Sequence, residues 1–269
     1  MRGVIFSETL RRTAWQTLYW GIGLGILGLL MSALIPLFDA LQLTELMQTL
    51  PPVILAMAGI DEQMTILATP EGILAVGFFT RFSIIFAAYP VVMGLRITAN
   101  EEDDGIMDVL LSLPVPRWRL IVERFAAYVL TILVITLMVF AGLWIGAQLI
   151  EIELDLTRIA QALLASVPLL ITLLAFTAFS AALIPRRRTA LAVATVFVVG
   201  SYVLDTVANM VQAGSLSSLL GAVSVFTYFD VTAIVQNGLI WPHFFGLLIF
   251  AVLLLIASVW LFQRRDVGV

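Results

Sequence analysis

Between Phe125 and Leu149 the chain reads FAAYVLTILVITLMVFAGLWIGAQL, without one charged side chain. A hydrocarbon core of roughly 30 Å is crossed by about 20 helical residues, so this run is long enough to span a bilayer. It lacks the apolar–polar alternation of a lipid-facing barrel strand, and a helix satisfies its own backbone hydrogen bonds. Runs of the same kind lie at 18–38, 73–95, 159–184, 189–211 and 243–262. The expected fold is therefore all-α: a single polytopic membrane domain over residues 1–269 with six transmembrane helices.

Composition agrees. Of 269 residues, 61% are hydrophobic and 12% charged, with a mean hydropathy of +1.08. A soluble domain would carry roughly 25% charged residues. The 14 basic residues are all Arg, there is no Cys, and His243 is the single histidine. These absences exclude a lysine-containing phosphate loop, Schiff-base and cysteine nucleophiles, disulfides and multi-histidine or thiolate metal sites. No catalytic residue, metal site or nucleic-acid partner is expected.

The arginines orient the spans. Arg2, Arg11 and Arg12 precede the first; Arg96, Arg117, Arg119 and Arg124 lie between the second and third. Arg186, Arg187 and Arg188 separate the fourth from the fifth, and Arg264 and Arg265 follow the sixth. Twelve of fourteen thus fall on one side, which the positive-inside rule makes cytoplasmic, together with both termini. Residues 4–17 mix apolar side chains with Glu8, Arg11 and Arg12, which suits a retained helix lying in the inner interface; the simpler reading extends the first span. The acidic stretch 39–72 falls outside, and Thr69, Pro70 and Glu71 have the order of a helix start. Residues 215–240 are apolar but broken, as expected of short outer helices before the sixth span.

Between spans two and three the chain runs Asn100-Glu101-Glu102-Asp103-Asp104-Gly105, then Ile106 to Leu113, then Pro114-Val115-Pro116-Arg117. Acids favour a helix N-terminus and Pro114 ends the helix. Leu110, Leu111 and Leu113 are left on a short cytoplasmic helix that needs another protein to cover it. This loop resembles the acid-acid-x-x-Gly…Leu-Leu…Pro-x-x-Arg signature of type-two ABC transporter permeases. The likeness extends through Thr69-Pro70-Glu71-Gly72 and covers roughly residues 60–130, the remainder agreeing in topology.

The resemblance implies the membrane subunit of an ATP-driven exporter in the cell membrane of a bacterium or archaeon. Residues 105–113 would be a coupling helix docked on a separate ATP-binding subunit, which holds ATP and Mg²⁺; this chain would not hydrolyse ATP itself. Glu101, Glu102, Gly105, Ile106, Val109, Leu110, Leu111, Pro114 and Arg117 would form that contact. A second permease copy, identical or related, would complete the pathway, and the apolar spans suggest a lipophilic or amphipathic cargo.

Three polar residues stand out near or within the apolar segments: Arg81, Asp205 and Asp230. Arg81 is about 12 Å below the outer end of span two and Asp205 about 9 Å below that of span five, at roughly 1.5 Å per residue. Each is costly alone, so they are expected to pair or to line an outward vestibule. An ion-coupled transporter or channel using Arg81 and Asp205 is the alternative reading. Gly21, Gly25, Gly28 and Ser32 share one helical face, and Gly142 and Gly146 repeat the spacing, which marks packing surfaces. Trp15, Tyr19, Trp20, Trp241 and Trp260 read as aromatic-belt anchors, and His243 as interfacial.

Overall fold

A computed structural model describes residues 3–40, 69–99, 116–184, 186–210 and 215–264. Its helices are α1 (Val4–Ala33), α2 (Ile35–Ala40), α3 (Pro70–Leu74), α4 (Thr80–Leu95), α5 (Arg117–Leu149), α6 (Leu156–Leu183), α7 (Arg187–Met210), α8 (Ser215–Val223), α9 (Val231–Asn237) and α10 (Trp241–Arg264). A π-turn, Ala75–Phe79, joins α3 to α4, and a 3₁₀ turn, Phe226–Tyr228, lies between α8 and α9. Among the described residues, the segments Val4–Leu37, Pro70–Leu95, Arg117–Leu149, Leu156–Leu183, Arg187–Asn209 and Trp241–Arg264 are six helices long and apolar enough to cross a membrane. Each expected span falls on one of them.

The N-terminal reading needs correction. Residues 4–17 do not form a separate interfacial helix but run unbroken into the first span as α1. At 30 residues α1 is about 45 Å long, more than a bilayer core requires. Its buried line, Thr9, Thr13, Thr17, Gly21, Gly25, Gly28 and Ser32, is continuous along the whole helix, so one neighbour holds both halves straight.

That neighbour is α5. A Cβ added to Gly142 would collide with the carbonyl oxygen of Gly25, and one added to Gly25 would lie 3.1 Å from the Met138 oxygen. One on Gly146 would meet the Leu29 oxygen and Ser32 Cβ at 2.8 Å. Ser32 Oγ donates to the Leu143 carbonyl at 3.2 Å. The small residues thus form one seam within the chain, in which close backbone approach replaces the hydrophobic driving force that lipid cannot supply.

Helix α6 is the centre of the bundle, buried along most of its length. Thr172 Oγ1 donates to the Leu247 carbonyl at 3.0 Å and Ser258 Oγ to the Ala178 carbonyl at 3.2 Å, pinning α6 to α10. Gly94 of α4 abuts Thr177, and Phe176 stacks on Phe197 of α7. Through the π-turn and α4 a buried ladder of Phe78, Phe79, Phe82, Phe86 and Tyr89 ends in a polar clasp. There Tyr89 Oη donates to Thr131 Oγ1 at 2.7 Å and lies 3.4 Å from Thr17 Oγ1, tying α1, α4 and α5 together. The helical segments Ser217–Val223 and Phe226–Asn237 bend by 93° against one another, giving the expected pair of short helices before the last span.

The seam predicts an asymmetry among glycines. Gly142→Leu is expected to cost about 3 kcal/mol or more, because the clash is with backbone that cannot rotate away. Gly23→Leu, where an added Cβ meets nothing within 4 Å, is expected to leave the detergent melting temperature unchanged.

Candidate functional site

The residues assigned to the coupling contact divide at the start of α5. Glu101, Glu102, Gly105, Ile106, Val109, Leu110, Leu111 and Pro114 lie outside the described residues. Arg117 is the first residue of α5, following Pro116, whose extended backbone (φ −65°, ψ 136°) turns the chain into the helix. What the structure does describe is the platform at both ends of that loop.

Two adjacent side chains of α5 build it. Glu123 reaches the start of α1, where its carboxylate accepts the Gly3 amide at 3.3 Å and the Phe6 amide at 3.2 Å. Helix α1 has no side-chain cap of its own and no acid in its first turn, so Glu123 supplies both from another helix. Arg124, buried to 8% exposure, points the other way. Its Nη1 donates to the carbonyls of Arg96 at 3.3 Å and Ile97 at 2.9 Å, where α4 ends. A cation at a helix C-terminus complements the negative end of the dipole and satisfies carbonyls left over by the helix. Arg96 Nη1 then donates to Gln16 Oε1 of α1 at 2.7 Å. The result is a closed ring through α1, α5 and α4, next to residues 100–115.

Neither Glu123 nor the special position of Arg124 emerged from the sequence, where Arg124 counts only as one more arginine on the positive side. One signal was present: Glu123 is the only acid between Asp108 and Glu151.

The intramembrane charges correct another expectation. Arg81 and Asp205 do not pair. Arg81 Nη1 donates to the carbonyls of Val76 at 3.1 Å and Gly77 at 3.3 Å, inside the π-turn that precedes it. A π-turn moves each acceptor one residue further along the chain, so carbonyls near it are open to a side chain. Asp205 instead accepts Thr227 Oγ1 at 2.7 Å and Asn209 Nδ2 at 3.4 Å. It thereby belongs to a latch that fastens the bent outer pair to α7. Ser224 Oγ donates to the Ser201 carbonyl at 2.7 Å, the Val225 amide to Ser201 Oγ at 2.8 Å, and Ser217 Oγ to the Ala208 carbonyl at 2.9 Å. Asp230 caps α9 by accepting the Ala233 amide at 3.0 Å. Each charge has found a nearer partner than the one that axial depth suggested.

At the end of the bundle away from most arginines, Thr69 Oγ1 accepts the Gly72 amide at 3.1 Å, as the helix-start order foretold. Glu71 Oε1 accepts the Asp155 amide at 2.7 Å, linking the start of span two to the cap of α6. Trp15 and Tyr19 stack on an exposed face, Trp241 stacks on Phe245, and Arg264 lies 4.1 Å over the Trp260 ring, as aromatic anchors would. Trp20 differs: its ring packs edge-on against Tyr89 inside the bundle. His243 packs edge-on against Tyr228 at 5.4 Å. Among the described residues, no three His, Cys, Asp or Glu side chains cluster as a metal site.

Residues 7–263 match the family described as multidrug efflux system permease Rv1217c, C-terminal domain. A search of curated proteins finds no match.

Two predictions follow from the geometry. Arg124→Ala leaves the last carbonyls of α4 buried without a donor and is expected to cost about 2 to 3 kcal/mol in detergent unfolding, more than Arg119→Ala. A double-mutant cycle on Asp205→Ala and Thr227→Val is expected to give coupling of about 1 kcal/mol, whereas Arg81→Ala with Asp205→Ala gives none.

Proposed function

We propose that this chain, which belongs to the multidrug efflux system permease Rv1217c C-terminal domain family, is the membrane-spanning subunit of an ATP-driven exporter. The observation that carries the reading is the match over residues 7–263, which includes all but the edges of the six apolar helices and the whole of the loop between the second and third. The acid-acid…Gly…Leu-Leu…Pro…Arg order of that loop supports a docking helix for a separate ATP-binding subunit, which would bind ATP and Mg²⁺. The ring of Glu123, Arg124, Arg96 and Gln16 supports the same reading, because it holds both roots of the loop against α1.

In this scheme, closure of the ATP-binding subunits pushes on residues 105–113. The push enters the bundle where α4 ends and α5 begins, and Arg124 and Glu123 pass it to α1, so three helices tilt as one body. The latch from Ser201 and Asp205 to Ser224 and Thr227 closes the far end until α7 moves. A second copy of the chain, or a related permease, supplies the other wall of the pathway. The broad exposed apolar faces of α7 and α10 support such a partner as well as lipid contact. The cargo is lipophilic or amphipathic, in keeping with the multidrug description of the family and with spans poor in polar groups, and the site of action is the cell membrane.

Affinity purification of the tagged chain from its native membrane tests this. An ATP-binding subunit is expected to co-purify, and Leu110→Asp with Leu111→Asp is expected to reduce its recovery at least about tenfold by placing charge in an apolar contact. Absence of any such subunit in mild detergent would overturn the exporter reading.

A further inference from the structure

Of the three polar residues near or within the apolar segments, two are spent inside the chain. Asp205 is held in the outer latch and Asp230 caps α9. Arg81 is left open. It stands about 12 Å below the outer end of the apolar run of span two and about 21 Å from Leu95, at roughly 1.5 Å per residue, in the middle third of the span. Its side chain leans back toward the start of the helix, as helical side chains do, and Nη1 donates to the Val76 and Gly77 carbonyls. Among the described residues, none of the ion pairs involves Arg81, and its Nε and Nη2 have no partner.

A charge at this depth does not face acyl chains without cost, and arginines within spans face a bundle interior or a water-filled cavity. Arg81 is exposed, with Thr80 exposed beside it and Ile85, Ala88 and Val92 following in one line toward the inner end, while the other sides of α4 are buried. The cavity is therefore one that this chain does not close by itself, as a pathway shared with a second permease would be. Its occupant is set by charge and by depth. The free edge of the guanidinium has the spacing that meets two oxygens of a carboxylate, sulfonate or phosphate side by side. Lipids of either leaflet keep their phosphates outside the hydrocarbon core, so the anion that meets this fork is a molecule in transit.

We propose that Arg81 selects the cargo: it receives the anionic head of an amphipathic molecule in the transport pathway, with the apolar part along Ile85, Ala88 and Val92. This rests on the exporter reading and narrows its lipophilic or amphipathic cargo to anionic amphiphiles. The π-turn belongs to the site, because its carbonyls hold one edge of the guanidinium and so aim the other.

Two probes with one tail isolate the charge: dansylaminoundecanoic acid and its methyl ester, titrated into the full chain in phosphatidylcholine nanodiscs and followed by dansyl fluorescence. The wild type is expected to bind the acid more tightly than the ester. Arg81→Gln is expected to weaken the acid about tenfold and to leave the ester unchanged, with Arg81→Lys in between, since a point charge replaces the fork. Ile85→Glu, with Arg81 intact, sets a carboxylate one turn away that leans back onto the guanidinium, and is expected to cause the same selective loss. Unchanged acid binding in either Arg81→Gln or Ile85→Glu overturns the proposal, and so does an equal loss of acid and ester. A dimer lost in Arg81→Gln also overturns it, by giving the arginine to the contact between copies.

Everted membrane vesicles from native cells with and without the chain separate this proposal from the reading beneath it. ATP-dependent uptake of the acid that needs the chain, and falls about tenfold in Arg81→Gln, supports the proposal. Chain-dependent uptake of the cationic dye ethidium with none of the acid overturns the proposal and leaves the exporter reading standing. No chain-dependent uptake of either probe overturns both.

Discussion

A backbone amide or carbonyl within a bilayer has no water to turn to, and that single constraint organises this protein. Helices answer it along their length but not at their ends or breaks. The chain closes these gaps with side chains from neighbouring elements. Glu123 serves the amides that open α1, Arg124 the carbonyls that close α4, and Glu71 the Asp155 amide before α6. Serine and threonine hydroxyls add a second set, reaching across helix pairs at Ser32, Thr172 and Ser258.

Because lipid tails are as apolar as leucine, burying more leucine does not hold such helices together. Proximity does. The α1–α5 seam is built from residues with almost no side chain, and the resulting contact brings backbone against backbone along the second half of α1. The polar clasp at Tyr89 meets the same pair at Thr17 and Thr131, so α1 is held by small-residue packing, by a polar contact at its middle and by Glu123 at its start. Helices α7 and α10 lack comparable glycine contacts, since an added Cβ at Gly200 or Gly246 meets nothing within 4 Å.

How much of this could be read in the residues depends on whether a feature is one-dimensional. The spans, the Thr69 cap and the glycine face need only position along the chain and the helical period, and all three are where periodicity put them. The Arg81–Asp205 pairing rested on depth, which a rise of roughly 1.5 Å per residue supplies, but a contact also needs the angle around each helix. That angle depends on packing, and in span two it depends further on a π-turn that no residue pattern announced. The roles of Glu123 and Arg124 were hidden for a related reason: a cap delivered by another helix leaves no mark near the end it serves. Residues 105–113, read as an apolar helix from the sequence order, lie outside the described residues, and the structure gives the geometry at the roots of that loop.

The π-turn has a consequence for how span two could have arisen and how it can vary. Five residues do the work of a turn that usually takes about 3.6, so Ala75–Phe79 amounts to one residue more than a regular helix needs. Removing one residue there would return the segment to a regular helix with its two halves in nearly the same register, because the widened turn absorbs the extra residue locally. What would be lost is the opening of the Val76 and Gly77 carbonyls to Arg81, while Thr69, Glu71 and the tie to Asp155 would keep their places. A relative one residue shorter there could therefore keep both ends of the span where they are, and only the arginine would need new acceptors.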